Sequence, residues 1–223
     1  MFQKLLQFVA PNRSNIIHLF QLFYVGCVLF LGFAYWQIAA DDGAFLGPVI
    51  RFGLLCGELA IYLFIVVTLP GILGRFGVKH PLITIGIMFR RHLGISTFLL
   101  ALMHASIVYF FPQLAIRGDL FSFSTFQLFG FLTLLSFTLL ASTSNDFSVK
   151  TLGKNWKRLH KLVYVIFWLI FLHVGLQRNT KYMVLIGAAG VLEVVSLLYD
   201  AWKRRQPLPP APPVVTPIPK ETV

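Results

Sequence analysis

Three histidines in the apolar part of the chain have the spacing of a two-level metal site. His160 and His173 lie 13 residues apart in one apolar run, which is about 20 Å along an α-helix. His104 lies in another apolar run, 12 residues after His92, or about 18 Å along its helix. Ionisable side chains are costly inside a bilayer, so histidines at these depths indicate a ligand site or a charge pathway.

His104 and His173 are predicted to meet at one level of the membrane. Their two helices are expected to run in the same direction, so similar distances from the helix starts give similar depths. Neutral imidazole is a good iron ligand, and two axial histidines fill both open positions of a haem iron. The pair therefore predicts a bis-histidine b-type haem in the outer half of a helical bundle. The alternative is that both imidazoles only hydrogen-bond inside the bundle.

His160 marks an inner level of the predicted site, and the second ligand at that level is not determined by the spacing. His92 lies at a similar depth on the third span, so by residue count it is the best candidate for this second ligand. The alternative for His92 is an interfacial position beside two arginines. For His18, near the start of the first span, and for His80, in a predicted loop, a structural or interfacial role is favoured over ligation.

The composition indicates that these histidines belong to an integral membrane protein. Of the 223 residues, 57% are hydrophobic and 12% are charged, whereas a soluble domain has about 25% charged residues. The net charge is +11, but the cations flank apolar runs, as they do at membrane surfaces, so nucleic-acid binding is rejected and membrane lipid is the expected surrounding. The predicted fold is an all-α bundle of six transmembrane helices.

The apolar runs set the predicted bounds of the spans. The second span is expected to end at the breaker pair Pro70-Gly71, and a basic loop over 71–91 is expected to follow it. The third span is expected to stop at Pro112. The six spans are predicted near residues 15–38, 49–69, 92–111, 125–141, 159–176 and 182–202.

The distribution of positive charge predicts the topology. Most of the 19 Lys and Arg residues fall on the side that holds both termini, and the exceptions are Arg51, Arg117, Arg178 and Lys181. By the positive-inside rule, both termini are then cytoplasmic. Residues 1–14 are predicted to be a cytoplasmic N-terminal segment, 15–205 the six-helix haem domain, and the Pro-rich stretch 206–223 a disordered cytoplasmic tail.

Other charged residues in or beside the spans have competing interpretations. Glu58 and Glu193 are candidate proton or quinone sites, with pairing to a buried arginine or a backbone group as the alternative. The basic run from Lys154 to Arg158 includes Trp156 and could attract an anionic flavin or an acidic partner. A positive-inside anchor with an interfacial tryptophan is the favoured alternative. No catalytic residue is predicted.

Three stretches resemble the ferric-reductase-like transmembrane domain superfamily and, within it, the MsrQ family of haem-binding membrane subunits of bacterial methionine sulfoxide reductase systems. They are RRHLGISTFLLALMH, STSNDFSVKTLGKNWKRLH and KLVYVIFWLIFLH. The family's haem histidines correspond to His104, His160 and His173. Eukaryotic relatives have a further histidine 14 residues before the position of His104, where this chain has Arg90. The second ligand of an inner haem therefore stays open.

The resemblance implies an electron-transfer subunit of an oxidoreductase system, rather than its catalytic subunit, in the bacterial inner (cytoplasmic) membrane. It implies one or two haem b groups and allows FMN as a further cofactor. Electrons would pass from a cytoplasmic flavin reductase or quinol to a periplasmic molybdopterin methionine sulfoxide reductase, MsrP-like. Two alternatives are a membrane cytochrome b that reduces ferric iron or oxygen, and a haem-free, proton-linked permease or assembly factor.

Overall fold

A computed structural model describes residues 2–40 and 46–206, and these residues form helices and their connections with no strand. The predicted tail over 206–223 lies outside the described residues except for Gln206. The helices are α1 (Phe2–Val9), α2 (Arg13–Ala40), α3 (Leu46–Arg75), α4 (Pro81–Ala105), a π-helical turn (Ser106–Phe110), α5 (Phe111–Ala115), α6 (Thr125–Ser142), α7 (Asp146–Leu152), α8 (Lys154–Leu159), α9 (Leu162–Leu176) and α10 (Thr180–Lys203).

Six helical stretches in the described part of the chain are long and apolar enough to cross a bilayer. This confirms the prediction of an all-α, six-span membrane protein. Because six is even, α2 begins and α10 ends at the same end of the bundle. We call this end the basic end, because most Lys and Arg residues lie there. We call the opposite end the cavity end, because a cavity lined by His104 and His173 lies near it. The stretches are Arg13–Ala40, Val49–Arg75, Pro81–Ala115, Thr125–Ser142, Lys154–Leu176 and Thr180–Lys203.

Five helices form a closed ring. In order around the ring, α3 packs against α4, α4 against α6, α6 against α9, α9 against α10, and α10 against α3. Apolar and aromatic side chains fill its centre, among them Phe64 and Phe167, whose ring centroids are 4.7 Å apart. Helix α2 packs against α4, and only 6% of its most apolar stretch is buried. The first span therefore leaves most of its surface to lipid.

The bounds of the second and third spans differ from the prediction. Helix α3 continues through Pro70 to Arg75, and α4 begins at Pro81, so residues 81–91 are helical. The predicted helix stop at Pro70-Gly71 and the predicted span start at His92 were therefore wrong. The neighbouring helix accommodates the Pro70 ring with a glycine, since a Cβ on Gly86 would lie 2.6 Å from Pro70 Cγ. A proline inside a helix can bend it without ending it when neighbours allow.

The third span also extends further than predicted. Helix α4 runs into the π-helical turn and then into α5, which ends at Ala115. Pro112 lies in the first turn of α5, directly after the π-helical turn, where the hydrogen-bonding pattern changes from π-helical to α-helical. The predicted stop at Pro112 was wrong for this reason.

Candidate functional site

His104 on α4 and His173 on α9 meet inside the ring near the cavity end. Their ring centroids are 6.4 Å apart, and the ring planes make an angle of 77°. Two imidazoles that share a metal at nitrogen–metal distances of about 2 Å have centroids about 6 Å apart. The structure brings together the two rings whose depths were predicted to match. Their role as ligands stays a prediction.

Hydrogen bonds fix the tautomer of both rings. Nδ1 of His104 lies 3.0 Å from the Gly53 carbonyl oxygen, and Nδ1 of His173 lies 2.7 Å from that of Phe126. A carbonyl oxygen can only accept, so Nδ1 donates and Nε2 of each neutral ring keeps its lone pair. Metal-ligating histidines almost always donate their second N–H in this way. The side-chain amide nitrogen of Gln177 lies 3.4 Å from Nε2 of His173.

Two helical glycines make room for the imidazoles. A Cβ on Gly57 of α3 would lie 2.7 Å from Nδ1 of His104, and a Cβ on Gly130 of α6 would lie 2.8 Å from Cε1 of His173. Each ring is therefore held against the backbone of a neighbouring helix. Sequence reasoning missed both glycines. The sequence feature that could have indicated them is a glycine inside a span at the depth of each histidine.

The two imidazoles line a cavity of about 520 Å³. Cofactor pockets typically have volumes of about 300–1,000 Å³, mostly apolar walls and a few polar groups. The π-helical turn that follows His104 contributes three consecutive residues to the wall, 108–110. Other aromatic wall residues are Phe123, Phe126, Phe131 and Phe137, and the polar ones include Glu58, Gln127, Gln177 and Asn179.

The donor set suits a cofactor that brings its own equatorial ligands. Within residues 2–40 and 46–206, no group of three or more His, Cys, Asp or Glu side chains could hold a metal ion. The cavity offers two imidazole rings with centroids 6.4 Å apart in a largely aromatic enclosure. A porphyrin supplies four further nitrogens to its iron, so a haem needs only the two that this chain provides.

His160 lies at the basic end, between α8 and α9. Its ring stacks on Trp156 with centroids 4.0 Å apart, and its Nε2 lies 3.3 Å from the Thr143 hydroxyl. That hydroxyl donates to the Leu139 carbonyl at 2.7 Å, so it accepts from His160. Nδ1 is then the nitrogen of His160 that keeps its lone pair. Its role as a ligand of an inner haem stays a prediction.

His92 faces the peripheral helix α2. Its ring stacks on Phe20 with centroids 5.4 Å apart, and its Nδ1 lies 3.2 Å from the hydroxyl of Tyr24. His160 instead contacts Thr143, directly after α6, and Trp156 of α8, so the two imidazoles have different neighbours. The structure thus brings His104 and His173 together but does not pair His92 with His160.

The remaining candidates have protein partners. Glu193 is buried in α10 and forms an ion pair with Arg75, which confirms the pairing alternative for this carboxylate. Glu58 lies on the cavity wall, where it interacts with Tyr182, and its proposed proton or quinone role stays a prediction. Nδ1 of His80 accepts a hydrogen bond from a backbone N–H at the start of α4.

Comparisons with known proteins place these features in a family. Residues 56–171, slightly more than half of the chain, match the family described as ferric reductase like transmembrane component. The chain therefore belongs to this family of multi-pass membrane proteins. The matched region contains His104 and His160 and ends two residues before His173.

Two relatives confirm the resemblance to the MsrQ family, and each is named protein-methionine-sulfoxide reductase heme-binding subunit MsrQ. The chain is 29% identical to the Agrobacterium fabrum protein over 175 residues, which are 76% of this chain and 77% of that protein. It is 40% identical to the Brucella anthropi protein over 81 residues, which are 34% of this chain and 36% of that protein. No solved structure matches the chain.

Proposed function

We propose that this protein is a membrane electron-transfer subunit that holds a haem b between His104 and His173. Nε2 of each imidazole would hold the haem iron, and the cavity of about 520 Å³ would enclose the haem. The observation that carries the proposal is the pair of rings 6.4 Å apart, each donating Nδ1–H to a backbone carbonyl. The names of the two relatives, which include heme binding, support the same cofactor.

The residues of this chain suit electron transfer rather than binding of a small molecule at iron. His104 and His173 would both hold the haem iron, and the haem, when bound, would supply the one-electron redox chemistry. The backbone carbonyls of Gly53 and Phe126 hold the rings in orientation and raise their basicity as ligands. The aromatic wall keeps the surroundings apolar, which tunes the redox potential.

The direction of electron flow is part of the same proposal. Electrons would enter at the basic end from a cytoplasmic flavin reductase or quinol and leave at the cavity end to a periplasmic methionine sulfoxide reductase. The distribution of Lys and Arg supports a cytoplasmic basic end in the bacterial inner membrane. His160, stacked on Trp156 at that end, is the residue we propose for an entry site, where a second haem or an FMN would bind.

The cofactor is tested with the purified full-length protein by a reduced-minus-oxidised spectrum. We expect a b-type α band that falls at least tenfold in His104→Ala and in His173→Ala. The matched control is His18→Ala, because His18 is exposed and its Nδ1 lies 3.0 Å from its helical neighbour Gln21. No α band in the unaltered protein, or a full α band without either imidazole, would overturn the proposal.

The acceptor is tested separately by stopped-flow reoxidation of the reduced protein. We expect fast reoxidation by a periplasmic methionine sulfoxide reductase with its substrate, and reoxidation at least tenfold slower by chelated ferric iron or by air. The opposite order would assign the chain to the ferric- or oxygen-reducing cytochromes. Unimpaired function of a variant that lacks His104, His160 and His173 would favour a haem-free permease or assembly factor.

A further inference from the structure

A second concave site lies at the basic end, apart from the histidine cavity. It is an open groove of about 740 Å³ between α3, α9 and α10. Nothing in the proposed electron-transfer function uses it. Its lining residues include Gly74 and Arg75 of α3, Tyr164 of α9, Asp200 and Lys203 of α10, and Arg204.

Arg75 is fixed in place beneath this groove. Its Nη2 donates to the carboxylate of Glu193 and its Nε donates to the hydroxyl of Ser196 at 2.9 Å. Both acceptors are buried in α10. Nη1 lies 3.9 Å from the point where a Cβ on Gly71 would be, and Gly71 lines the groove. The buried carboxylate thus orients the guanidinium so that its remaining nitrogen lies along the groove.

The groove has the level and the shape of a lipid headgroup site. Arg75 ends α3 and Lys203 ends α10, so the cations lie where the spans leave the bilayer. Pro70 and Leu197 line the groove further inside the same spans and extend its apolar part towards the hydrocarbon. A Cβ on Gly74 would have no atom within 4 Å, so the missing side chain at this position leaves open space.

We propose that this groove binds the phosphate headgroup of an anionic phospholipid. Basic pockets between transmembrane helices on the cytoplasmic side bind such headgroups, and a fixed guanidinium is well suited to phosphate oxygens. Arg75, Lys203 and Arg204 outnumber the two carboxylates nearby, Glu193 and Asp200, and Asp200 is paired with Arg204 at 2.8 Å. The apolar extension favours a lipid over a soluble phosphate, because an acyl chain would cover it.

A steric variant tests the groove without changing its charge. Full-length protein in detergent is mixed with equal amounts of phosphatidylglycerol and phosphatidylcholine, and retained lipid is counted by native mass spectrometry. We expect the protein to retain phosphatidylglycerol preferentially and Gly74→Leu to retain it at least fivefold less. The matched control is Gly32→Leu, since Gly32 is a helical glycine in α2 whose Cβ would also have no atom within 4 Å.

A charge variant tests the cations and does not depend on the steric one. Lys203→Gln with Arg204→Gln removes two positive charges from the groove. Lys154→Gln with Lys157→Gln removes two exposed positive charges from α8 at the same end, so general attraction to anionic lipid falls equally. We expect the first double variant to lower phosphatidylglycerol retention at least fivefold and the second to change it less than twofold.

Several results would overturn the proposal. Equal retention of the two lipids, or equal loss in both double variants, would show no specific headgroup site. Displacement of phosphatidylglycerol by millimolar inorganic phosphate would assign the groove to a soluble phosphate. Loss of a co-purifying flavin in Gly74→Leu with unchanged lipid would assign it to a flavin. The haem spectrum of each sample reports separately on the histidine cavity, so failure of one proposal leaves the other testable.

Discussion

The two ends of the bundle use their polar side chains differently. Near the cavity end, His104 and His173 each donate Nδ1–H to a backbone carbonyl, and both rings border a common cavity, where the Gln177 amide nitrogen lies 3.4 Å from Nε2 of His173. At the basic end, side chains satisfy each other, as in the ion pair of Glu193 with Arg75. A polar group that is satisfied within the protein supports the fold, whereas one that borders a cavity is available to a cofactor. Depth in the membrane alone therefore does not distinguish a ligand from a structural residue.

This comparison predicts that basic-end variants change stability and cavity-end variants change cofactor content. The largest effect on stability is expected for Glu193→Ala, because it leaves a mostly buried Arg75 without its carboxylate. Breaking a buried ion pair in this way costs about 3–5 kcal/mol. The measurement is the free energy of unfolding in detergent by denaturant titration.

The control for Glu193 is the double variant Arg75→Leu with Glu193→Leu. Replacing both partners with apolar side chains leaves no unpaired charge, so most of the lost stability should return. A cost below about 1 kcal/mol for Glu193→Ala would show that this pair behaves as an exposed one.

The next largest effect is expected at the glycines that face the imidazoles. Gly57→Ala and Gly130→Ala would push the rings of His104 and His173 away from their present positions. Overpacking of this kind costs about 1–3 kcal/mol, so we expect roughly a 5- to 150-fold loss of haem affinity, measured by titrating the apoprotein with haem. Gly94→Ala is the control, since its Cβ would have no atom within 4 Å. Equal haem affinity in all three variants would contradict the proposed packing.

A smaller effect separates the two basic-end histidines. His92→Ala should leave the α band unchanged and lower the free energy of unfolding by about 1 kcal/mol, the typical value of one hydrogen bond, here that with Tyr24. His160→Ala should keep the α band of the cavity haem and change only signals from a second centre. A matching loss of haem in His92→Ala would make His92 a ligand after all.

The smallest effect is expected for the exposed ion pair of Asp146 with Arg91, whose atoms lie 2.6 Å apart. The hydrogen bond from Arg91 and its positive charge lower the pKa of Asp146 below the usual value of 3.8. The stabilisation is therefore present above that usual pKa and is lost as the pH falls through the lowered pKa. Asp146→Asn should therefore lower the free energy of unfolding only slightly at neutral pH, as for an exposed pair, and should match the unaltered protein once the pH is below the lowered pKa. A large loss of stability at neutral pH would mean that the pair is buried.

Part of the candidate site could be predicted because the errors in the two helix starts have the same direction and cancel in part. The stretches that carry His104 and His173 both begin earlier than predicted, at Pro81 and Lys154. The starts move by 11 and 5 residues in the same direction, so the errors cancel only in part: His104 lies 23 residues and His173 lies 19 residues after the start of its stretch, which is a difference of about 6 Å on straight helices. The rings still meet. Gly57 and Gly130 could not be singled out in this way, because a glycine matters only when a particular ring faces it.

The sequence by itself determined that the chain crosses the membrane six times and that His104 and His173 share a level. Apolar length fixes the number of crossings, and the constant rise of a helix turns residue number into depth. Only the tertiary structure decided which side chains meet. The imidazole of His92 contacts α2. Helix α3 continues through Pro70 because Gly86 of α4 lies opposite the proline ring. Both depend on how each helix is rotated and which neighbour it packs against, and these are settled by contacts between segments distant in the chain.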